Sequence, residues 1–213
     1  MTNELTKYLT ALHPIHDPLL LKMKQYAEIH RIPIMEDTSM EVLLSLIRMK
    51  RPNRILEIGT AIGYSAIRMA KASDNCTIVT CDHDEERLSV AKSFIDESGL
   101  QERISLLNGD AFVLLPDIRD RAPYDVIFID AAKGQYKNYF QSFSPFLSND
   151  GIIISDNVFF RGWVPKMPES LPKRYRTLIE KLREYNQFLT MQEDFNTTFY
   201  PVGDGIAVSL KIK

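Results

Sequence analysis

Cysteine is scarce in this 213-residue sequence, with two in all. Cys76 and Cys81 fall on or beside one expected strand, whose extended backbone holds them too far apart to bond. That excludes a disulfide framework and leaves reduced thiols, as expected of a cytoplasmic protein. Long apolar runs are lacking too. None approaches the roughly 18 residues of a membrane span, so no membrane partner is expected. Glu4 and Lys7 give the N-terminus a polar helical pattern in place of a signal peptide. Without such a signal, the Asn196-Thr197-Thr198 glycosylation pattern reads as chance. Neither sign of charge dominates. The formal net charge of -2 argues against a chain that is basic all over, while leaving room for a local basic face.

Two further absences mark the stretch from Arg54 to Ala66, R-I-L-E-I-G-T-A-I-G-Y-S-A. An apolar run (Ile55, Leu56, Ile58) ends at Glu57 and Gly59, and Gly63 then opens a helical pattern reaching about Ala72. Strand, tight turn and helix bring backbone close to a nucleotide-like ligand. The third glycine of a dinucleotide fingerprint is missing, and so is the Lys-Ser/Thr pair of a phosphate-cradling loop. An acid beside the first glycine suits a ligand that brings a cation.

No repeat or low-complexity tract divides the chain, and one domain over 1–213 is expected. Residues 1–52 read as helical. Asp17-Pro18 starts one helix through His30, and Asp37 or Thr38 caps a second with Met40, Leu43, Leu44 and Ile47 on its apolar face. These helices are placed to lie across strand ends as a lid. Over 53–213 strands and helices alternate. Strands are expected at Thr77–Cys81, Ile104–Leu107, Tyr124–Ile129 and Gly151–Ser155. Helices are expected at Glu85–Ser98, Tyr136–Leu147 and Lys173–Asn186. Phe188–Glu193 and Gly205–Ile212 read as a closing strand pair joined by a turn over Asn196–Asp204. The fold class is α/β: a Rossmann-like, doubly wound, mostly parallel seven-stranded sheet, with N-terminal helices and an antiparallel C-terminal pair.

Five successive strands end in polar residues: Glu57-Gly59, Asp82, Asp110, Asp130 and Asp156-Asn157. Any one acid is explained by helix capping, but five make an acidic crevice that capping does not require. Asp82 is placed to accept from a ribose diol and Asp110 from an adenine amino group. No basic residue waits for a phosphate, which favours S-adenosylmethionine over NAD or ATP. Asp130, Asp156 and Asn157 are hard oxygen ligands suited to an octahedral divalent ion. Lys133, three residues after Asp130, is a candidate general base. The alternative for each is a cap, a turn residue or a solvated charge.

Glu57 to Ala66, Gly109-Asp110-Ala111, Phe128 to Lys133, Ser155-Asp156-Asn157 and Pro201 to Val208 together resemble the metal-dependent O-methyltransferases of the catechol and caffeoyl-CoA type. Pro33 to Glu36, Met40 to Leu44 and Ala122 to Tyr136 resemble in particular the bacterial tRNA 5-hydroxyuridine methyltransferases. The resemblance implies S-adenosylmethionine contacts from Met35, Ser65, Asp82, Asp110 and Ala111, with Glu57 and Gly59 shaping the pocket beside Asp130. It implies Mg2+ or Mn2+ on Asp130, Asp156 and Asn157, Lys133 as base, and a homodimer. Ala131 and Ala132 depart from the catechol pattern, which has bulk before the lysine, and a wider mouth suits a nucleotide. Arg161, Lys173, Arg174 and Arg176, interleaved with Trp163 and Tyr175, form a basic strip fitting an RNA backbone and a splayed base. The expected acceptor is 5-hydroxyuridine at the wobble position 34 of tRNA, and the alternative is a small catechol-like phenol. A non-catalytic nucleoside-binding module and, more distantly, a nicotinamide dehydrogenase complete the competing readings.

Overall fold

The computed structural model describes residues 3–213. β1 (Arg54–Ile58) pairs in parallel with β2 (Thr77–Asp82) on one side and β4 (Tyr124–Ile129) on the other. β3 (Ile104–Asn108) extends the sheet beyond β2, and β5 (Leu147–Ser155) beyond β4. The chain closes with β7 (Ile206–Lys211), antiparallel to β5, and β6 (Phe195–Tyr200) at the outer edge. The order β3-β2-β1-β4-β5-β7-β6 reverses between β1 and β4, the topological switch of a doubly wound sheet. The expected fold class is the one observed.

Alternation along the strands divides the core into two layers. Ile55 of β1 packs with Val126 and Phe128 against α2 (Pro18–His30), α3 (Asp37–Lys50), α4 (Tyr64–Ala72) and α5 (Glu85–Ser98). Leu56 and Ile58 face the other way, toward α6 (Leu115–Arg119), α7 (Tyr136–Phe143) and α8 (Arg176–Thr190). An N-terminal helix, Asn3–Leu12, lies against α3. Asp17 caps α2 as expected, accepting from the Leu19 N–H at 2.9 Å, and Gly99 closes α5 in the left-handed conformation.

Three local expectations are corrected. Neither Asp37 nor Thr38 caps α3. Glu36 holds the cap position without a side-chain bond, and the Asp37 carboxylate, one residue inside the helix, pairs with Lys24 at 2.6 Å. The N-terminal helices cover a sheet face, and the α2–α3 connection, Pro33 to Glu36, lines the cavity at the strand ends. α7 stops at Phe143, ahead of a short turn through Pro145, and Leu147 already belongs to β5. Phe188–Glu193 is not a strand. α8 runs to Thr190 because Leu182, Tyr185 and Leu189 stay in the core at helical spacing, while Phe188 meets Phe140 edge-on at 5.5 Å. The strand lies further on, where half-buried Phe195, Thr197 and Phe199 alternate with exposed Asn196, Thr198 and Tyr200.

Gly59 sits where β1 leaves the sheet beside β4, with φ of +106°. A Cβ there would fall 2.1 Å from the Asp130 carbonyl oxygen. Gly59→Ala should therefore lower unfolding free energy by about 2–4 kcal/mol, combining left-handed strain with overpacking. Gly99→Ala, with nothing within 4 Å, should lose only the conformational part, about 1–2 kcal/mol. Urea denaturation of both variants checks the ranking.

Candidate active site

The carboxyl ends of β1, β2, β4 and β5 open into a cavity of about 490 Å³. The glycine turn forms its floor. Ala61, held at φ of +46°, donates its N–H to Asp82 Oδ2 at 2.9 Å, while Asp82 Oδ1 accepts from the Asp84 N–H at 3.1 Å. Asp82 thus ties the turn after β1 to the start of α5 while still lining the cavity. Asp110 folds back on the Phe112 N–H at 2.8 Å and stays exposed beside buried Ala111. Met35, Gly59 and Ser65 line the wall as well.

Glu57 does not. Its side chain points into the layer beneath α4 and is fully buried, accepting hydrogen bonds from the Ser65 hydroxyl and from Thr80 Oγ1, the latter at 2.6 Å. Burial pushes its carboxyl up to about 8, against the lowering effect of those two hydroxyls. It shapes the cavity through Ser65, and is no counter-charge exposed beside the glycine. A strand-end acid and a strand-interior acid look alike in sequence; here the alternation of β1 turns Glu57 to the same side as Ile55.

Asp130, Asp156 and Asn157 converge at the inner end of the cavity. The Asp130 N–H donates to the Ile58 carbonyl at 3.0 Å and the Asp156 N–H to that of Ile129 at 3.1 Å, so the sheet ladder sets both positions. Asp156 is buried. Its Oδ2 accepts from Asn157 Nδ2 at 3.2 Å, and its Oδ1 has no hydrogen-bond partner. Burial, then Asp130, pushes the Asp156 carboxyl well above its ordinary range; burial raises Asp130 too, opposed by Lys133. Lys133 opens a single 3-10 turn (Lys133–Gln135) and lines the same space.

Among the described residues no group of three His, Cys, Asp or Glu could hold a metal. The donor set is instead two carboxylates and an amide oxygen. A buried carboxylate oxygen without a donor is costly unless a cation meets it, and this all-oxygen set fits a hard divalent ion.

Two further acids at the mouth escaped sequence reasoning. The Asp204 carboxylate accepts from the Arg161 N–H at 2.9 Å, and its carbonyl accepts from Phe159 and Phe160. Glu36 lies nearby, its carboxyl raised by burial and then by Asp204. The Pro201 to Val208 motif could have pointed to Asp204, and the Pro33 to Glu36 motif to Glu36. At the rim, the Arg161 guanidinium lies over the Phe160, Trp163 and Tyr175 rings at 5.6, 5.6 and 5.9 Å. Arg174 covers Tyr175 at 4.6 Å, and Lys173 is exposed. Arg161 lines the cavity, whereas Lys173, Arg174 and Arg176 stand outside it. Arg176 turns inward to the Leu171 carbonyl at 3.3 Å, and Arg183 likewise donates to the Val164 and Lys166 carbonyls.

Residues 13–212 match the family model described as O-methyltransferase. The chain belongs to the O-methyltransferase family. A caffeoyl-CoA O-methyltransferase of Stellaria longipes is 26% identical over 95% of this chain and 87% of its own. The crystal structure of a candidate caffeoyl-CoA O-methyltransferase from Staphylococcus aureus superposes with a TM-score of 0.92 at 32% identity. That match covers 98% of this chain and 100% of the other. A Bacillus cereus O-methyltransferase, solved with S-adenosylhomocysteine, gives a TM-score of 0.85 at 25% identity, covering 98% and 97%. This O-methyltransferase is S-adenosylmethionine-dependent.

Raising the Glu57 pKa from 4.5 to about 8 makes its contribution to stability fully present below 4.5 and lost as pH climbs through about 8. For the ligand-free enzyme, Glu57→Gln should therefore flatten the fall in melting temperature between about pH 5 and pH 9. Parallel melting curves for the variant and the wild type would show the idea to be wrong.

Proposed function

We propose that this enzyme methylates one of two neighbouring oxygens on an acceptor held by a divalent cation at Asp130, Asp156 and Asn157. The observation that carries the reading is Asp156 Oδ1, buried and unpartnered, at the inner end of a donor cavity that also holds Lys133. When bound, Mg2+ or Mn2+ would stabilise the acceptor oxyanion as a Lewis acid and hold its two oxygens in place. Lys133 Nζ, in its neutral form, takes the proton of the acceptor hydroxyl. The freed oxygen attacks the sulfonium methyl in line, the carbon–sulfur bond breaks, and S-adenosylhomocysteine leaves as a neutral thioether. Asp82, Asp110 and Ala111 hold the adenosine, while Met35, Gly59 and Ser65 wall in the methionine part. Alignment in this enclosed space supplies much of the acceleration.

The names of the relatives support a small catechol-like phenol as acceptor, since a caffeoyl ring carries two vicinal hydroxyls. The rim supports a second acceptor, 5-hydroxyuridine at position 34 of tRNA, whose C5 hydroxyl and C4 carbonyl offer the same chelate. Phe160, Trp163 and Tyr175 under Arg161, with exposed Lys173 and Arg174 beside them, make a stacking surface with basic groups for a splayed base. A homodimer in the cytoplasm is proposed from family likeness, and sedimentation at the monomer mass would reject the dimer.

Transfer of label from S-adenosylmethionine, with Mg2+ or with EDTA, decides between acceptors. Metal-dependent label in tRNA carrying 5-hydroxyuridine, absent from tRNA lacking the hydroxyl, selects the nucleoside. Label in caffeoyl-type phenol that is unaffected by Lys173→Glu with Arg174→Glu selects the phenol. Lys133→Met should lower kcat by about 10²–10⁴-fold and remove the rise of rate with pH that deprotonation of the base produces. An unchanged profile would rule out Lys133 as the base.

A further inference from the structure

Tyr64 and Arg68 stand four residues apart on α4, a spacing that puts them on one face of the helix. Both are buried, and a guanidinium in that position is the exception. Arg68 Nη1 donates to the Tyr64 hydroxyl at 3.0 Å, and the guanidinium carbon lies 5.7 Å from the centre of the Tyr64 ring. Its Nη2 donates to Glu41 Oε1 of α3 at 2.7 Å. One planar fork therefore ties a phenol on α4 to a carboxylate on α3, and a lysine has no second arm with which to do so.

Both ends of this tie lead to the cavity at the strand ends. Tyr64 follows Gly63 out of the glycine turn and lines the cavity directly. Glu41 lies just over one turn into α3, behind the connection that brings Met35 and Glu36 to the cavity wall. Burying an ion pair between two helices costs desolvation, and apolar side chains of similar volume often hold helices together as well. What apolar packing does not do is fix the Tyr64 hydroxyl, and with it the ring, against the cavity.

We propose that Arg68 is a positioning residue for the methyl donor. Held by the fork, Tyr64 and the start of α3 keep one spacing, so the donor meets walls already in place and binding loses less to ordering them. The inference rests on the reading of this cavity as the donor site.

The test is calorimetric titration of the full-length protein with S-adenosylhomocysteine, at a temperature where every form is folded, with ligand-free melting temperatures alongside. Tyr64→Phe removes the hydroxyl, and Arg68→Lys keeps a cation beside Glu41 but loses the fork. Each should weaken binding about 3- to 30-fold, the range of coupling within one hydrogen-bond network. Arg103 provides the control. It ties the far end of α4, donating to the Ala70 carbonyl at 2.7 Å and to that of Cys76 at 3.0 Å. Arg103→Lys should lower the melting temperature while affinity holds within about twofold. Wild-type affinity in either Tyr64→Phe or Arg68→Lys would overturn the proposal. So would an equal loss in Arg103→Lys, since general loosening of α4 then explains the effect. Asp110→Ala separates the two levels of the argument. If it binds S-adenosylhomocysteine as the wild type does, the donor-site reading falls, and the role of Arg68 with it. If it binds weakly while Tyr64→Phe and Arg68→Lys do not, the role of Arg68 alone falls.

Discussion

The close approach of β1 and β4 at their carboxyl ends is the constraint on which the site depends. Gly59 places bare backbone where any side chain would strike the Asp130 carbonyl, and the ladder bond from Asp130 N–H to Ile58 locks the two strands together there. Because the sheet order reverses at this pair, helices leave to opposite faces and a crevice opens between them. The cavity and the Asp130 carboxylate therefore share one wall, and the bare backbone of the glycine is what lets them do so.

Charge in this crevice is managed in three ways. Glu57 is buried among hydroxyls and raised toward neutrality, so it acts as a hydrogen-bonding strut behind Ser65. Asp82 accepts from two backbone N–H groups and so braces the glycine turn. Asp130 and Asp156 are raised by burial, Asp156 Oδ1 has no donor, and Lys133 is the cation that acts on both. Two carboxylates left in that condition favour an outside cation, as their oxygen chemistry suggests. The acids that looked equivalent as strand ends are, in the folded chain, a strut, a brace and a buried pair.

Much of this was legible in the sequence because apolar runs, turn glycines and strand-end acids are local signals. The five parallel strands, the switch point and the convergence of Asp130, Asp156, Asn157 and Lys133 follow from them. What was not legible depends on packing. Phe188 and Leu189 read as a strand by composition, but the spacing from Leu182 through Tyr185 carries the helix past them. Arg176 reads as one more cation of a basic strip, yet its guanidinium is held by the Leu171 carbonyl. Asp204 is far from the other site residues in sequence, and only the antiparallel return of β7 beside β5 brings it to the mouth.

That return has a consequence for how the molecule divides its labour. The turn ahead of β7 grips the segment after Asn157: the Asp204 carbonyl and carboxylate together take the N–H groups of Phe159, Phe160 and Arg161. Left-handed backbone at Phe160, Arg161 and Gly162 is held in place by this grip. The inner cavity is thus walled by the alternating first part of the chain, and its mouth is braced by the turn of a hairpin appended to it. Substitutions in that turn can reshape the mouth without touching Gly59, Asp82 or Asp130.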